Sequence, residues 1–304
     1  MFEILFLGTS ASAPSAKRGL SGHIISHNEF RFLIDCGEGT QRQILQSGKG
    51  FKRLTRVLLT HGHLDHILGL AGLLSTFMRW EAIEEFEILG TKGTLERVKI
   101  LLYDVVLRGK QPPMPLRLTE IKPGVIFEAQ DFTVTAFAVS HRGADSLGYV
   151  FEEKSRRPFL AEKADALGVP FGPERRDLIV GNAITLPDGK RITPDLVLGD
   201  LEMGSKLVLV GDTGKTDNLI EVCKNADAVV IEATYMDEET EMAKQFSHLT
   251  ARMGAELAIK AGVKKLILTH ISRRYRGKDV LAEAQTIFEN TVVARDFDTF
   301  VIRR

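Results

Sequence analysis

The chain has 304 residues, 44% hydrophobic and 26% charged, with 40 basic side chains against 40 acidic ones. Such a composition is ordinary for a soluble globular protein, and the length suits one large α/β domain or two smaller ones, each able to bury a core. Zero net charge excludes a generalised attraction to polyanions, so any contact with nucleic acid must come from local patches. Two cysteines, Cys36 and Cys223, are too few for a disulfide framework and lack CxxC spacing, which fits a reducing, cytoplasmic location. No apolar run reaches the 18 or more residues of a membrane span.

Met1–Gly8 reads as a strand, with Phe2, Ile4 and Phe6 alternating against Glu3, Leu5 and Leu7 and no leader-like segment before it. A Gly/Ser/Ala/Pro-rich turn follows over Gly8–Pro14, then a loop holding Lys17, Arg18 and Gly19. Ser21–Ser26 and Phe30–Asp35 suggest a hairpin around His27 and Asn28, and a helix starts near Gln41. The apolar run Val57–Leu59 ends in Thr60-His61-Gly62-His63-Leu64-Asp65-His66, and helical sequence resumes over Leu68–Trp80. A strand at Glu87–Leu89 and a helix at Leu95–Leu107 lead to the breaker Pro112-Pro113-Met114-Pro115. Strands are expected at Leu116–Glu120, Val125–Ala129 and Phe132–Val139.

From Phe151 to Pro194 the texture changes. This stretch holds five of the ten prolines, eight Lys/Arg and seven Asp/Glu, with short strand-like pieces such as Asp177–Val180. It reads as an arm inserted in the domain, not as a second core. Regular α/β pattern then returns: strands at Lys206–Val210, Ala228–Ile231 and Lys264–Leu268, helices at Thr216–Asn225, Thr250–Ala261 and Val280–Glu289, and closing strands at Thr291–Ala294 and Thr299–Ile302. No repeat at a solenoid period is present.

Eight histidines occur, at 23, 27, 61, 63, 66, 141, 248 and 270. His23 and His27 read as structural. His61, His63, Asp65 and His66 are another matter, because nothing structural needs four such groups within six positions, and imidazole with carboxylate is the ligand set of zinc. His141, Asp212 and His270 each follow an apolar strand, so loops would carry them to one sheet edge, where α/β sites are usually built. The arithmetic then suits two ions. His61, His63 and His141 serve one, Asp65, His66 and His270 the other, and Asp212 bridges both, leaving room for water. Two ions about 3.5–4 Å apart can clamp the oxygens of a displacement and acidify the water between them.

The series His61-x-His63-x-Asp65-His66, His141, Gly211-Asp212-Thr213 and His270 resembles the motifs of the metallo-β-lactamase fold. That resemblance implies an αββα sandwich of two mixed sheets flanked by helices, with Asp35 supporting the ligand loop without being a ligand. Further features are similar to the ribonuclease Z family of tRNA 3′-processing endonucleases: Phe6–Ser10, Gly37–Gln41, Glu232-Ala233-Thr234 followed by His248, Thr269–Tyr275 and Ala294-Arg295-Asp296. The Pro-rich stretch, 151–194, resembles that family's flexible tRNA-binding arm, so that 1–304 would be a single domain carrying it. In the Pro14–Gly19 loop, Gly19 stands where relatives commonly carry asparagine, at the entrance to the site.

The resemblance implies two zinc ions per subunit, with manganese or iron able to use the same set. It implies hydrolysis of a phosphodiester in precursor tRNA by activated water, giving a 3′-hydroxyl on the tRNA and a 5′-phosphate on the trailer. Asp65 would accept the proton. His248 would stabilise or protonate the leaving 3′-oxygen, oriented by Glu232. Ser272, Arg274 and Tyr275 would hold phosphate near the cut, and Arg156, Arg157, Arg175 and Arg176 would form the arm's basic face. A homodimer is implied, in which one subunit's arm serves the other's site, with no membrane partner. Two rival readings are told apart by what they would not need. Another hydrolase of the same fold would need neither His248 after Glu-Ala-Thr nor the arm, and a non-catalytic RNA-binding scaffold would need no intact ligand set.

Overall fold

The alternation in the first strand, β1 (Phe2–Gly8), sorts its side chains between two cores. Phe2, Ile4 and Phe6 enter an aromatic-rich core, while Leu5 and Leu7 join a different one on the opposite face. The computed structural model describes residues 1–80, 83–143 and 145–304, in two compact units, Glu153–Gly204 and the remainder of the chain.

In the larger unit β1 is followed by β2 (Gly22–His27), β3 (Phe30–Ile34), β4 (Arg56–Leu58), β5 (Phe86–Gly90) and β6 (Leu116–Glu120). Next come β7 (Gly124–Glu128), β8 (Phe132–Val139) and β9 (Ser146–Glu153). After the hairpin β10 (Ile184–Thr185) and β11 (Arg191–Ile192) of the smaller unit, the chain adds β12 (Lys206–Leu209), β13 (Ala228–Glu232), β14 (Leu266–Thr269), β15 (Thr291–Val293) and β16 (Thr299–Ile302). Two seven-stranded sheets result, in the orders β16-β1-β2-β3-β4-β5-β6 and β15-β14-β13-β12-β9-β8-β7. Both are mixed: β3 to β6 and β12 to β15 run parallel, whereas β1 is antiparallel to β2 and β16.

The aromatic core lies between the sheets, joining Phe2, Phe6, Phe32 and Leu58 to Leu207, Leu209, Val230 and Ile267. The outer face of the first sheet packs Leu33, Val57 and Leu59 against Leu70, Leu73 and Phe77 of the helix Gly69–Trp80. The outer face of the second packs Val208, Val229 and Ile231 against Ala255, Leu257 and Ala258 of the helix Ala251–Lys260. This is the helix–sheet–sheet–helix sandwich expected from the motifs. No helix among the described residues is long and apolar enough to cross a membrane.

Several elements depart from the sequence expectation. The helix expected from Leu95 begins at Lys92, where Thr91 caps it, and passes into a π-helix over Ile100–Leu107. Thr216–Asn225 is a short 3₁₀ turn at Asp217–Leu219 followed by one helical turn at Ile220–Cys223. The strand β9 was not expected. It carries Phe151 into the inter-sheet core and pairs with β12 in the register Phe151↔Leu207, so the change of texture at Phe151 comes before the true end of the strand.

The smaller unit also differs from a coreless arm. Ala164, Val169, Leu178, Leu186, Ile192 and Val197 form a buried cluster of its own. Asp177–Val180, which looks strand-like, belongs to the helix Pro173–Ile179, whose first position suits proline because that N–H needs no partner.

Candidate active site

Four strands end in the residues that face one another across the edge of the sandwich. His61 follows β4, His141 follows β8, Asp212 follows β12 and His270 follows β14, while β13 ends on Glu232. His270 and Asp35 hold left-handed backbone, with φ of 54° and 56°. Non-glycine residues rarely adopt that conformation, and it persists where surrounding structure fixes it. Gly211, at φ 68°, turns the chain just before Asp212.

The donor atoms converge. Asp212 Oδ2 lies 3.8 Å from His61 Nε2 and 3.5 Å from both His66 Nε2 and His270 Nε2. Asp65 Oδ2 lies 3.4 Å from His270 Nε2 and 3.7 Å from His66 Nε2. His141 Nε2 faces His63 Nδ1 at 3.4 Å. Ligand-type atoms of His61, His63, His141 and Asp212 all lie within 4.8 Å of one another, as do those of Asp65, His66 and His270.

The far side of each ring is tied. His66 Nδ1 donates to Asp35 Oδ2 at 2.7 Å, and His141 Nδ1 donates to the Ser247 carbonyl at 2.7 Å. Thr60 Oγ1 donates to Asp35, so it is left to accept from His61 Nδ1 at 3.0 Å. Thr234 Oγ1 donates to Glu232, so it accepts from His270 Nδ1 at 2.9 Å. In all four rings Nδ1 carries a proton and Nε2 is turned into the site.

Burial, then neighbouring histidines, drive His61 well below its ordinary range, and burial with His141 lowers His63 to about 4. Neutral imidazole is the ligating form. Burial would also lower His66, but the Asp212 and Asp35 carboxylates outweigh it and hold that ring well above 6.5. Asp212 is kept ionised against its burial by His270 and His66. The Nε2 atoms of His61 and His66 are buried without any hydrogen-bond partner among the described residues. Buried ring nitrogens facing carboxylates at these distances fit a divalent cation.

His248 stands beside this cluster, its ring centre 4.9 Å from that of His141 and 5.6 Å from that of His270. Its Nδ1 sits 2.9 Å from Glu232 Oε1. Burial would lower its pKa, but Glu232 raises it to about 9. Glu232, 1% exposed, also accepts from Thr213 N at 2.7 Å and from Thr234 Oγ1 at 2.5 Å. One carboxylate thus links the loop of Asp212, the support of His270 and the ring of His248.

Sequence reasoning missed the entrance loop as a support. Ser12, with φ 57°, turns its N–H onto Asp65 Oδ2 at 2.9 Å. The loop itself is held by Asp296, which accepts from Thr9 Oγ1, Gly19 N and Gln43 Nε2 at 2.7, 2.6 and 2.9 Å. Arg18 is folded inward, donating to Thr9 Oγ1 and the Ala294 carbonyl. Only the Ala294-Arg295-Asp296 triplet signalled any of this.

Beside the loop opens a cleft of about 730 Å³, lined by Lys17, Ser272, Arg273, Tyr275, Arg276 and Arg295 among others. Ser272 and Tyr275 line that cleft, the Tyr275 hydroxyl being buried with no hydrogen-bond partner among the described residues. Arg274 is not part of that lining; its Nη1 pairs with Glu239 at 2.8 Å.

Two of the four arm arginines have a different task from the one expected. Arg175 is 8% exposed and is held by Asp165 and by the Val169 and Pro170 carbonyls. Arg157 donates to Asp195 and to the Gly199 and Leu198 carbonyls. Both hold the smaller unit together, whereas Arg156 and Arg176 are exposed. His23 and His27 are structural as expected, packed on Phe6 and on Phe2 and Phe132.

Residues 30–161 match the model of the beta-lactamase superfamily domain. Ribonuclease Z of Bradyrhizobium sp. (strain ORS 278) is 46% identical over 302 residues, covering 99% of this chain and 100% of that one. The chain belongs to the ribonuclease Z family. Ribonuclease Z of Archaeoglobus fulgidus is 39% identical, over 98% of this chain and 96% of its own. Among solved structures, the short form of human tRNase Z superimposes with a TM-score of 0.70 at 24% identity, covering 99% of this chain and 100% of that one. The metallo-beta-lactamase fold protein YhfI of Bacillus subtilis also reaches 0.70, at 17% identity, over 99% and 100% of the two chains. Shared shape at that identity marks the fold, whereas full-length identity above 40% marks ribonuclease Z.

Proposed function

We propose that the chain is a metal-dependent endoribonuclease that removes the 3′ trailer from precursor tRNA, leaving a 3′-hydroxyl on the tRNA and a 5′-phosphate on the trailer. The observation that carries this reading is His248 held on Glu232 at 2.9 Å beside seven converging His and Asp side chains. A cleavage that must protonate an oxygen leaving group needs such a proton source next to its metals.

Two zinc ions per subunit are the proposed cofactor, one on His61, His63 and His141, the other on Asp65, His66 and His270, with Asp212 between them. Bound there, they would neutralise phosphate charge and acidify a water. Asp65, partly exposed and oriented by Ser12 N–H, accepts the proton from the attacking water. His248, its pKa raised to about 9, is an imidazolium at neutral pH and gives its proton to the leaving 3′-oxygen. Glu232 keeps that ring charged and aimed, and Asp35 orients His66 by accepting from its Nδ1.

The basic cleft beside Lys17, Arg273 and Tyr275 takes the RNA next to the cut. The 153–204 unit is the tRNA-binding arm, with Arg156 and Arg176 as its phosphate contacts. The family resemblance supports a cytoplasmic homodimer in which one subunit's arm holds tRNA for the other's active site.

The test is His248→Ala in metal-loaded protein. Metal content should stay at the wild-type level while kcat on precursor tRNA falls by about 10²–10⁴-fold, the usual worth of a general acid. Wild-type kcat in that variant would remove His248 from the reaction.

A further inference from the structure

The 153–204 unit carries nine acidic and eight basic side chains, so its net charge gives it no general attraction to RNA and binding rests on local contacts. Phe171 is placed to supply a contact that does not depend on charge. This ring is 87% exposed, more than any other large apolar side chain described. It lies outside the unit's own core.

Phe171 is nevertheless fixed. Pro170 precedes it, Gly172 and Pro173 follow, and Gly168 and Gly172 turn the chain at φ 77° and 140°. The Arg175 guanidinium lies 3.9 Å from the ring centre, within cation–π range. That guanidinium cannot swing away, because Asp165 and the carbonyls of Val169 and Pro170 hold it from behind. One face of the ring is thus backed by an immobile cation and the other is open. A rigid, exposed aromatic face is what an unpaired nucleobase stacks on, with little regard to sequence. Arg176, exposed on the same short helix, and the exposed Lys190 and Arg191 supply cations for the flanking phosphates.

We infer that Phe171 is a stacking platform for one unpaired base of the precursor tRNA, held ready by Arg175. This rests on the tRNA-processing reading above. The experiment is steady-state cleavage of precursor tRNA by the full-length, metal-loaded protein at several salt concentrations. Phe171→Ala should raise KM between about fivefold and a hundredfold with kcat retained, the range that loss of one stacked base produces. Phe171→Trp should restore KM, and Phe171→Leu, apolar but without a π face, should not. The salt dependence should be unchanged in Phe171→Ala but shallower in Arg176→Ala, which removes a phosphate contact.

Three outcomes would overturn the inference: a wild-type KM in Phe171→Ala, equal rescue by Leu and Trp, or a change in sedimenting mass in Phe171→Ala, which would make the ring a contact between copies of this chain. If the wild-type protein fails to cut precursor tRNA at all, it is the functional reading that fails, and the wild-type reaction alone reveals it.

Discussion

His61, His66, His141 and His270 each have one ring nitrogen committed to a fixed oxygen, which turns the other into the site, and in His61 and His66 that second nitrogen is buried with no hydrogen-bond partner among the described residues. His23 shows the opposite case. It sits beneath the cluster on β2, buried against Phe6, and burial together with His66 and His270 lowers it to about 3. Its unfolded value is near 6.5, so the sign is clear. The folded state binds fewer protons, and stability is lost as pH falls from 6.5 toward 3 at up to about 1.4 kcal/mol per pH unit. In chelated protein, His23→Leu should flatten the loss of denaturation midpoint between pH 6.5 and 4, whatever its effect at neutral pH. An unchanged acid slope would mean that His23 is not the group responsible. Among these residues the candidate ligands were legible because their chemistry is concentrated in His61–His66 and at strand ends. Thr60, Thr234 and Ser12 were not. They act through backbone turns that place a hydroxyl or an N–H, and no residue type announces such a turn when Asp35, His270 and Ser12 adopt it without glycine.

At the scale of elements, the carboxyl ends of parallel strands deliver the site, and the Thr9–Gly19 loop closes its side. Asp296 anchors that loop through three donors and so fixes Ser12 on Asp65. Asp296→Asn replaces an acceptor with a donor at one oxygen position and leaves buried groups unpaired. It should cost about 1–3 kcal/mol of stability and weaken metal retention. A thermal midpoint and a metal affinity both equal to wild type would show that the loop needs no such anchor. The strands themselves were largely legible, since alternation marks β1 and the unbroken apolar run Leu207-Val208-Leu209 marks β12, which is buried on both faces. The stretch 146–204 was only partly legible. There a buried strand runs into proline and charge, and the apolar residues of the small core are spaced too widely to show any period.

At the scale of the whole molecule, three apolar layers hold two sheets and two helical faces around one polar edge, and full-length kinship places that edge in the ribonuclease Z family. The sandwich was legible through the resemblance of the motif series to the metallo-β-lactamase fold. The substrate was legible only through resemblance, since a chain of zero net charge gives no electrostatic sign of RNA. The most direct measurement is therefore incubation of the protein with a 3′-extended precursor tRNA, with and without a chelator, followed by mapping of both product ends. The expected result is a single cut at the trailer, leaving a 3′-hydroxyl on the tRNA and a 5′-phosphate on the trailer, lost with chelator and regained when zinc is restored. Intact precursor in the zinc-loaded reaction, or cutting that chelation does not touch, would contradict it.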